Sequence, residues 1–225
     1  QKMLIYHIDL LYSVANIYFR KKNFRLSMDF LENMNTQMER YSNKYYKRFQ
    51  IKYTTLRALN LNYTGDHKLA ANELDRLFNI SKDAEEQLLN AKLARVTIHF
   101  QQNELELANK ILVKFQRSDS WYERNVGFDW LLNKSFIEIL LHIELNSVDF
   151  VESRLNSFVR KYRAHFDKTE HIQAMEFLKL VRIYYKDEFV ADSSSFRETI
   201  KNSLSFKSRE EEDIFLMSYY AWLKA

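Results

Sequence analysis

The chain has 225 residues, of which 46% are hydrophobic, and it contains neither cysteine nor proline. This composition supports a buried core and excludes a disulfide framework, and it lacks the residue that most often breaks helices. The formal charge is +4, from 34 basic and 30 acidic residues, an excess too mild to indicate a nucleic-acid footprint. No apolar run approaches the roughly 20 residues of a membrane span, so no span is expected. Together these features predict an all-α chain.

A helix–turn–helix pattern occurs four times along the chain. The turns lie at Lys22-Asn23, Gly65-Asp66, Asn103-Glu104 and Asn146-Ser147, and they are 43, 38 and 43 residues apart. Each turn is followed by a bulky residue, a mostly small residue three positions later, a leucine and a large apolar residue. These are Phe24, Ser27, Leu31 and Met34; His67, Ala70, Leu74 and Leu77; Leu105, Ala108, Leu112 and Phe115; and Val148, Val151, Leu155 and Phe158.

Gly65 stands where the helix before the second turn has to end. Only glycine adopts a left-handed backbone there without cost, and Asp66 is expected to cap the next helix with its carboxylate. Pairs of a capping side chain and a glutamate three residues later predict four further helix starts. These are Ser120 with Glu123, Asp167 with Glu170, Ser195 with Glu198, and Ser208 with Glu211.

The four-fold pattern resembles the tetratricopeptide repeat (TPR), in which a small residue, a turn, an alanine and a leucine recur in each hairpin. The spacing is longer than the family's roughly 34 residues, and the closing proline is absent, so longer helices are expected. The resemblance implies a right-handed α-α superhelix, a TPR-like solenoid of about five helical hairpins plus a C-terminal capping helix. It implies one domain over 1–225, as part of a longer protein, with units near 4–36, 43–79, 82–116, 121–164 and 169–204 and a terminal helix at 209–224.

Nothing in the sequence indicates an enzyme, a metal site or a cofactor. Two isolated glycines cannot form a phosphate-binding loop, and the acidic run 210–213 is interpreted as the solvated start of a helix. His67, His99 and His142 occupy repeat positions where packing is expected. His165 and His171 have a poor spacing for zinc.

The TPR resemblance implies that the first helices line a concave groove that binds a protein or peptide partner. We therefore predict a cytoplasmic scaffold for protein–protein interaction, and homo-oligomerisation is left open. Two alternatives stay open: the sensor half of a transcriptional regulator whose N-terminal output domain is absent, and single-stranded nucleic-acid binding by the basic aromatic runs 18–25, 44–53 and 158–166. The groove positions implied by the resemblance are Tyr12, Asn16, Phe19, Arg20, Lys52, Thr55, Asn62, Tyr63, Thr97, Phe100 and Gln101.

Overall fold

The computed structural model describes residues 2–81, 85–168, 171–203, 219 and 222–223. Every regular element in these ranges is helical and none is a strand, which confirms the all-α prediction. The chain forms two compact units, Gln1–Phe115 and Gln116–Ala225. The prediction of one continuous array over 1–225 stays a prediction.

The first unit consists of three helical hairpins. Within each hairpin the two helices pack against each other, and the first helices of consecutive hairpins, α1 with α3 and α3 with α5, are also in contact. Each later hairpin also packs its first helix on the second helix of the hairpin before it. The helices are α1 Lys2–Arg20, α2 Phe24–Arg40, α3 Tyr46–Tyr63, α4 His67–Ile80, α5 Leu89–Gln101 and α6 Leu105–Leu112.

The second unit contains the fourth hairpin, formed by α8 and α9, with α7 packed on α8. Helix α11 contacts α9, α10 and α12, and a short 3-10 helix, Glu188–Asp192, joins α11 to α12. The helices are α7 Asp119–Val126, α8 Phe128–Glu144, α9 Val148–Lys161, α10 Arg163–Phe166, α11 Ile172–Lys186 and α12 Ser194–Ser203. The expected terminal helix at 209–224 lies largely outside the described residues.

The four turns of the repeat share one backbone geometry. Lys22, Gly65, Asn103 and Asn146 all have a positive φ, between 55° and 99°. In each turn the next residue donates its N–H to the carbonyl five residues before it, at 2.8–2.9 Å. This is the Schellman arrangement, which satisfies carbonyls at the end of the first helix. The predicted role of Gly65 is confirmed, and the three other turns use lysine or asparagine in the same place.

The repeated positions form the core of each hairpin. The small residue after the turn is fully enclosed in three units, since Ser27, Ala70 and Ala108 each have 0% of their surface exposed. The leucine of each unit is buried as well. In the fourth unit the larger Val151 takes this position and is also buried, with 1% of its surface exposed. The repeated positions therefore lie in the core, as the pattern predicted.

Several predicted helix starts are wrong by two residues or lack the expected contact. Helix α7 begins at Asp119 because the Ser118 hydroxyl, not Ser120, accepts the N–H of Trp121 at 3.3 Å. Likewise Ser193, not Ser195, accepts an N–H at the start of α12, that of Phe196 at 3.4 Å. Helix α4 begins without a hydrogen bond to the carboxylate of Asp66.

Two other predicted starts depend on residues that are not described. Helix α11 begins at Ile172, well after Asp167. Its expected capping partner Glu170 lies outside the described residues, and so does the pair of Ser208 and Glu211.

One break in the fourth unit was not predicted. Gly127 has φ 106° and ψ 158°, and it ends α7 and begins α8 within the stretch 121–164 that was predicted as one helical hairpin. This backbone conformation is open to glycine and strained for other residues. The fourth unit therefore has an additional short helix in front of its hairpin.

Candidate functional site

The predicted groove is partly closed in the structure. Phe19, Thr55, Asn62 and Thr97 retain 1–7% of their surface, so these four side chains pack inside the first unit. The ring of Phe19 lies edge-on to Tyr63, at 5.7 Å between centroids. These buried residues stabilise the helices and do not present an open binding surface, because each fills space between neighbouring helices.

Asn62 shows why a polar residue is buried in this position. Its side-chain Nδ2 donates to Oε1 of Gln101 on α5 at 2.6 Å. Its Oδ1 lies 2.9 Å from Nδ1 of His67, at the start of α4. Asn62 therefore joins α3 to both α4 and α5, and the hydrogen bonds offset the cost of removing its amide from water.

Four predicted residues on α1 and α3 are not fully buried, and we call them the α1–α3 surface: Tyr12, Asn16, Arg20 and Lys52. Tyr12 and Asn16 are half-buried, and Arg20 and Lys52 are exposed. The Nζ of Lys52 lies 3.5 Å from the carboxylate of Asp9 and 5.2 Å from the centroid of the Tyr12 ring. Burial raises the pKa of Tyr12, with Asp9 acting in the same direction and Arg20 against it. Tyr12 therefore keeps its phenolic proton and can donate a hydrogen bond.

The aromatic residues of the predicted groove are engaged with their neighbours. Tyr63 stacks on Phe24, with centroids 5.8 Å apart and planes 9° from parallel. Phe100 is half-buried at the end of α5. The neighbouring Gln101 is exposed, and its side-chain oxygen accepts the hydrogen bond from Asn62. These rings extend the hydrophobic core to the edge of the surface, and they offer a partner less area than the resemblance implied.

The second unit contains a basic cleft of about 820 Å³ between α9, α10 and α11. Its lining has four basic and two acidic side chains, a local charge of +2, above apolar side chains that include Phe166 and Met175. Arg182 donates to Oδ1 of Asn156 at 2.9 Å. The only sequence signal for this cleft was the basic aromatic run 158–166. The charged residues of the lining are Arg160, Arg163, Lys179, Arg182, Asp167 and Glu176.

A network of four charges joins α7, α8 and α9. Arg154 donates to Asp119 at 2.5 Å and to Glu138 at 2.8 Å, and Lys134 donates to Glu138 at 2.9 Å. Burial alone raises the pKa of Asp119, but the hydrogen bond and the charge of Arg154 outweigh it, and the pKa is lowered. With two acidic and two basic groups, all of them paired, the network supports the packing of the helices.

The histidines of the second unit lie among aromatic rings. His165 stacks on Phe128 at 3.9 Å between centroids, and its Nε2 lies 2.9 Å from the carboxylate of Glu123. Across the described ranges, no three His, Asp or Glu side chains are grouped as metal ligands would be. In the same ranges, no helix is both long and apolar enough to cross a membrane.

Comparisons with protein-family models, with curated proteins and with solved structures found no match to this chain.

Proposed function

We propose that the chain is a non-catalytic helical-repeat scaffold that binds a protein or peptide partner. In this proposal the hairpins continue as a TPR-like right-handed superhelix of about five units with a capping helix. The shared Schellman turns and the matched core positions support this part, because units with the same turn and register stack in the same way. The contacts of α1 with α3 and of α3 with α5 support it in the first unit.

The observation that carries the proposal is the α1–α3 surface. Asn16, Arg20 and Lys52 lie on first helices at positions that the core does not use, and Tyr12 adds a protonated phenol beside them. An amide and a phenol can bond the backbone of an extended peptide, and two cations can bind its carboxylates. We infer a partner segment that is extended and carries acidic side chains, which would compete with Asp9 for Lys52.

The experiment is a selection of linear peptides displayed on phage against the 225-residue chain, followed by measurement of the Kd of the selected peptides. The test variant is Asn16→Ala/Arg20→Ala/Lys52→Ala. We expect acidic peptides to be selected and the variant to bind them at least about tenfold more weakly, because anchors at an interface carry most of its energy. Arg20→Ala and Lys52→Ala should leave thermal unfolding nearly unchanged, because exposed sites alter stability by about 0.5 kcal/mol or less. Asn16 is half-buried, so Asn16→Ala is also measured as a single variant.

The matched control replaces three exposed cations on the second helices of the first unit, as Lys68→Ala/Arg76→Ala/Lys110→Ala. It removes three positive charges, one more than the test variant, and should leave the Kd unchanged. If the control raises the Kd as much as the test variant does, the loss of affinity comes from the overall positive charge and not from the α1–α3 surface. If no peptide is selected, or if every peptide binds the test variant as well as the wild type, the proposal is wrong.

A second candidate function is single-stranded nucleic-acid binding in the basic cleft of the second unit. The cleft brings Arg160, Arg163 and Phe166 of the basic aromatic run together with Lys179 and Arg182. Phe166 is buried, at 4% exposed, so the cations alone would follow the backbone of a single strand. Fluorescence anisotropy with a labelled oligonucleotide tests this candidate: Arg160→Ala/Arg163→Ala should weaken binding and reduce its salt dependence. Unmeasurable binding by the wild type at low salt would exclude it.

A further inference from the structure

The basic cleft of the second unit has an apolar floor that its charge does not explain. Ile172, at the start of α11, exposes 49% of its surface, and the half-buried Met175 and Val159 line the same cleft. A single exposed isoleucine is ordinary, but these three side chains share one concavity of about 820 Å³. Sites for small ligands have volumes of about 300–1,000 Å³ and mostly apolar linings. The cleft therefore has the size and the floor of a small-ligand site.

The two ends of the cleft differ in character. Arg182, near the end of α11, bonds Asn156 in the middle of α9, whereas α10, which directly follows α9, also contacts α11. Helix α11 therefore runs antiparallel to α9. Ile172 and Met175 lie in the first turn of α11, and Lys179 and Arg182 lie about one and two turns later. The cleft thus has an apolar end and a basic end.

Three cations lie at the basic end. Arg160 is exposed on α9, one turn after Asn156. Lys179 donates to Glu176 at 2.6 Å, but a largely exposed pair contributes little to stability, so an anion of a ligand can replace Glu176. Arg182 donates to the neutral amide of Asn156 and keeps its whole charge. Because guanidinium groups bind carboxylate and phosphate through charge-assisted hydrogen bonds, the basic end suits one anionic group.

The described residues of the C-terminal segment pack on another side of α11. The ring of Tyr219 lies 6.4 Å from that of Phe177, and the ring of Trp222 lies 5.1 Å from that of Tyr184. Lys179 lies about 160° around the helix from Phe177, because each residue of an α-helix advances by about 100°. The described part of the C-terminal segment therefore does not cover the cleft.

We propose that the cleft binds a small single-chain amphiphile, with its anionic head group at the basic end and its aliphatic chain over Ile172, Met175 and Val159. The charge of the basic end and the aliphatic floor complement the two parts of such a molecule. Phe166, the aromatic residue of the described lining, is 4% exposed and offers a nucleobase no ring face. A single strand would use the cations alone and leave the floor uncovered, so the lining favours the amphiphile.

This inference goes beyond the proposed function and does not depend on it. The cleft belongs to the second unit, whereas the α1–α3 surface belongs to the first. A chain that binds no peptide can therefore bind an amphiphile, and the reverse also holds, so the two experiments can fail separately. A single-stranded oligonucleotide is the competing occupant of the cleft and enters the test as a second ligand.

Isothermal titration calorimetry of the 225-residue chain with sodium dodecanoate, below the concentration at which it forms micelles, tests the proposal. We expect one site with a Kd of about 100 µM or lower. Octanoate should bind at least about tenfold more weakly, because each buried methylene adds to the affinity. Dodecyl phosphate should also bind, because the cations accept either anion, and dodecyltrimethylammonium should not bind.

A pair of matched variants tests the basic end. Arg160→Gln/Lys179→Gln should raise the Kd for dodecanoate at least about tenfold, because charge-assisted hydrogen bonds to the head group are lost. The control is Arg124→Gln/Lys201→Gln, which removes two exposed cations of the same unit that do not line the cleft. The control should bind dodecanoate as the wild type does. Circular dichroism should show equal helix content in all variants, since all four positions are exposed.

Protection of a thiol locates the aliphatic chain of the ligand. The protein has no cysteine, so Ile172→Cys introduces a single thiol in the floor of the cleft. Dodecanoate at ten times its Kd should slow the alkylation of this thiol by iodoacetamide about tenfold, because bound protein is shielded. Val113→Cys, at a position that is 63% exposed in the first unit, should be alkylated at an unchanged rate.

Several results would each overturn the proposal. They are the absence of saturable binding by either dodecyl anion, equal binding of the cationic amphiphile, an unchanged Kd in Arg160→Gln/Lys179→Gln, and equal protection of the two thiols. Binding of an oligonucleotide that dodecanoate does not displace would also overturn it, and would favour nucleic acid as the occupant of the cleft.

Discussion

Asn60 of α3 and Ser27 of α2 form a hydrogen bond of 2.9 Å between two side chains that are both completely buried. The same Nδ2 also donates to the carbonyl of Leu56 at 2.9 Å. The Oδ1 of Asn60 has no hydrogen-bond partner within the described residues. The corresponding positions in α1 and α5 hold isoleucine. A polar pair at this point thus distinguishes the junction of the first two hairpins from the next one.

A double-mutant cycle should show that this pair is coupled. Ser27→Ala leaves an amide hydrogen of Asn60 without an acceptor, and we expect a loss of about 1–2 kcal/mol in the free energy of unfolding. When Asn60→Leu is added, both polar partners are gone, and the double variant should be more stable than the sum of the single effects predicts. Urea unfolding measures all four proteins. Effects that add to within about 0.3 kcal/mol would show that the bond contributes no coupling.

Ala108→Leu should destabilise the first unit by about 1–3 kcal/mol. Ala108 is fully buried where α6 crosses α5, and a larger side chain would have to push the two helices apart. Thermal unfolding measures the effect. Lys110→Leu, on the exposed side of the same helix, serves as the control and should change stability by about 0.5 kcal/mol or less. Equal melting temperatures for Ala108→Leu and the wild type would contradict the assigned packing.

Removing glycine from one left-handed turn position and introducing it at another should change the free energy of unfolding in opposite directions. At Gly65, with φ 99°, an added Cβ would meet no atom within 4 Å, so Gly65→Ala adds backbone strain alone and should cost about 1 kcal/mol. At Lys22, with φ 60°, Lys22→Gly removes such strain and should stabilise by roughly 0.5–1 kcal/mol. Lys21→Gly is the control, because φ of Lys21 is not positive. Chemical unfolding that shows the same sign for both turn substitutions would refute the argument.

Asp119→Asn should destabilise the second unit at pH 7 and have little effect in strong acid. The pKa of folded Asp119 lies below the unfolded value of about 3.9, so its contribution is complete above pH 4 and is lost as pH falls through the folded pKa. Breaking a partly buried pair with Arg154 should cost about 2–3 kcal/mol at neutral pH. Denaturant unfolding over a series of pH values from 7 downward tests this, with Glu152→Gln at an exposed position of α9 as the control. A loss that stays the same over the whole series would contradict the prediction.

Much of the fold could be predicted because the turns and the small core residues recur at regular positions. Ser27, Ala70 and Ala108 are buried where the repeat predicted a small side chain, at the contact between the two helices of each hairpin. The break at Gly127 was missed because apolar residues continue on both sides of it and a lone glycine is compatible with a helix interior. Helix starts were displaced by two residues because neighbouring serines, such as Ser118 and Ser120, offer equivalent capping groups.

The candidate site was less predictable than the fold. The TPR resemblance identified groove positions on the first helices of the hairpins. Whether a side chain at such a position is buried depends on how closely the next hairpin packs against its own. Asn62 is enclosed because Gln101 and His67 meet it, and neither contact follows from local spacing. The basic cleft depends in the same way on the approach of α11 to α9. No pattern within α9 alone predicts it.

The break at Gly127 also determines how α7 opens in the native state. Eight residues are too few for a stable helix alone. Asp119 ties α7 to Arg154 on α9, and Glu123 ties it to His165 on α10. We therefore expect the contacts with α9 and α10, rather than α7 itself, to protect the backbone amides of α7 against hydrogen exchange. Their exchange should then follow the cooperative opening of these neighbours, so that the short helix reports the stability of the elements packed on it.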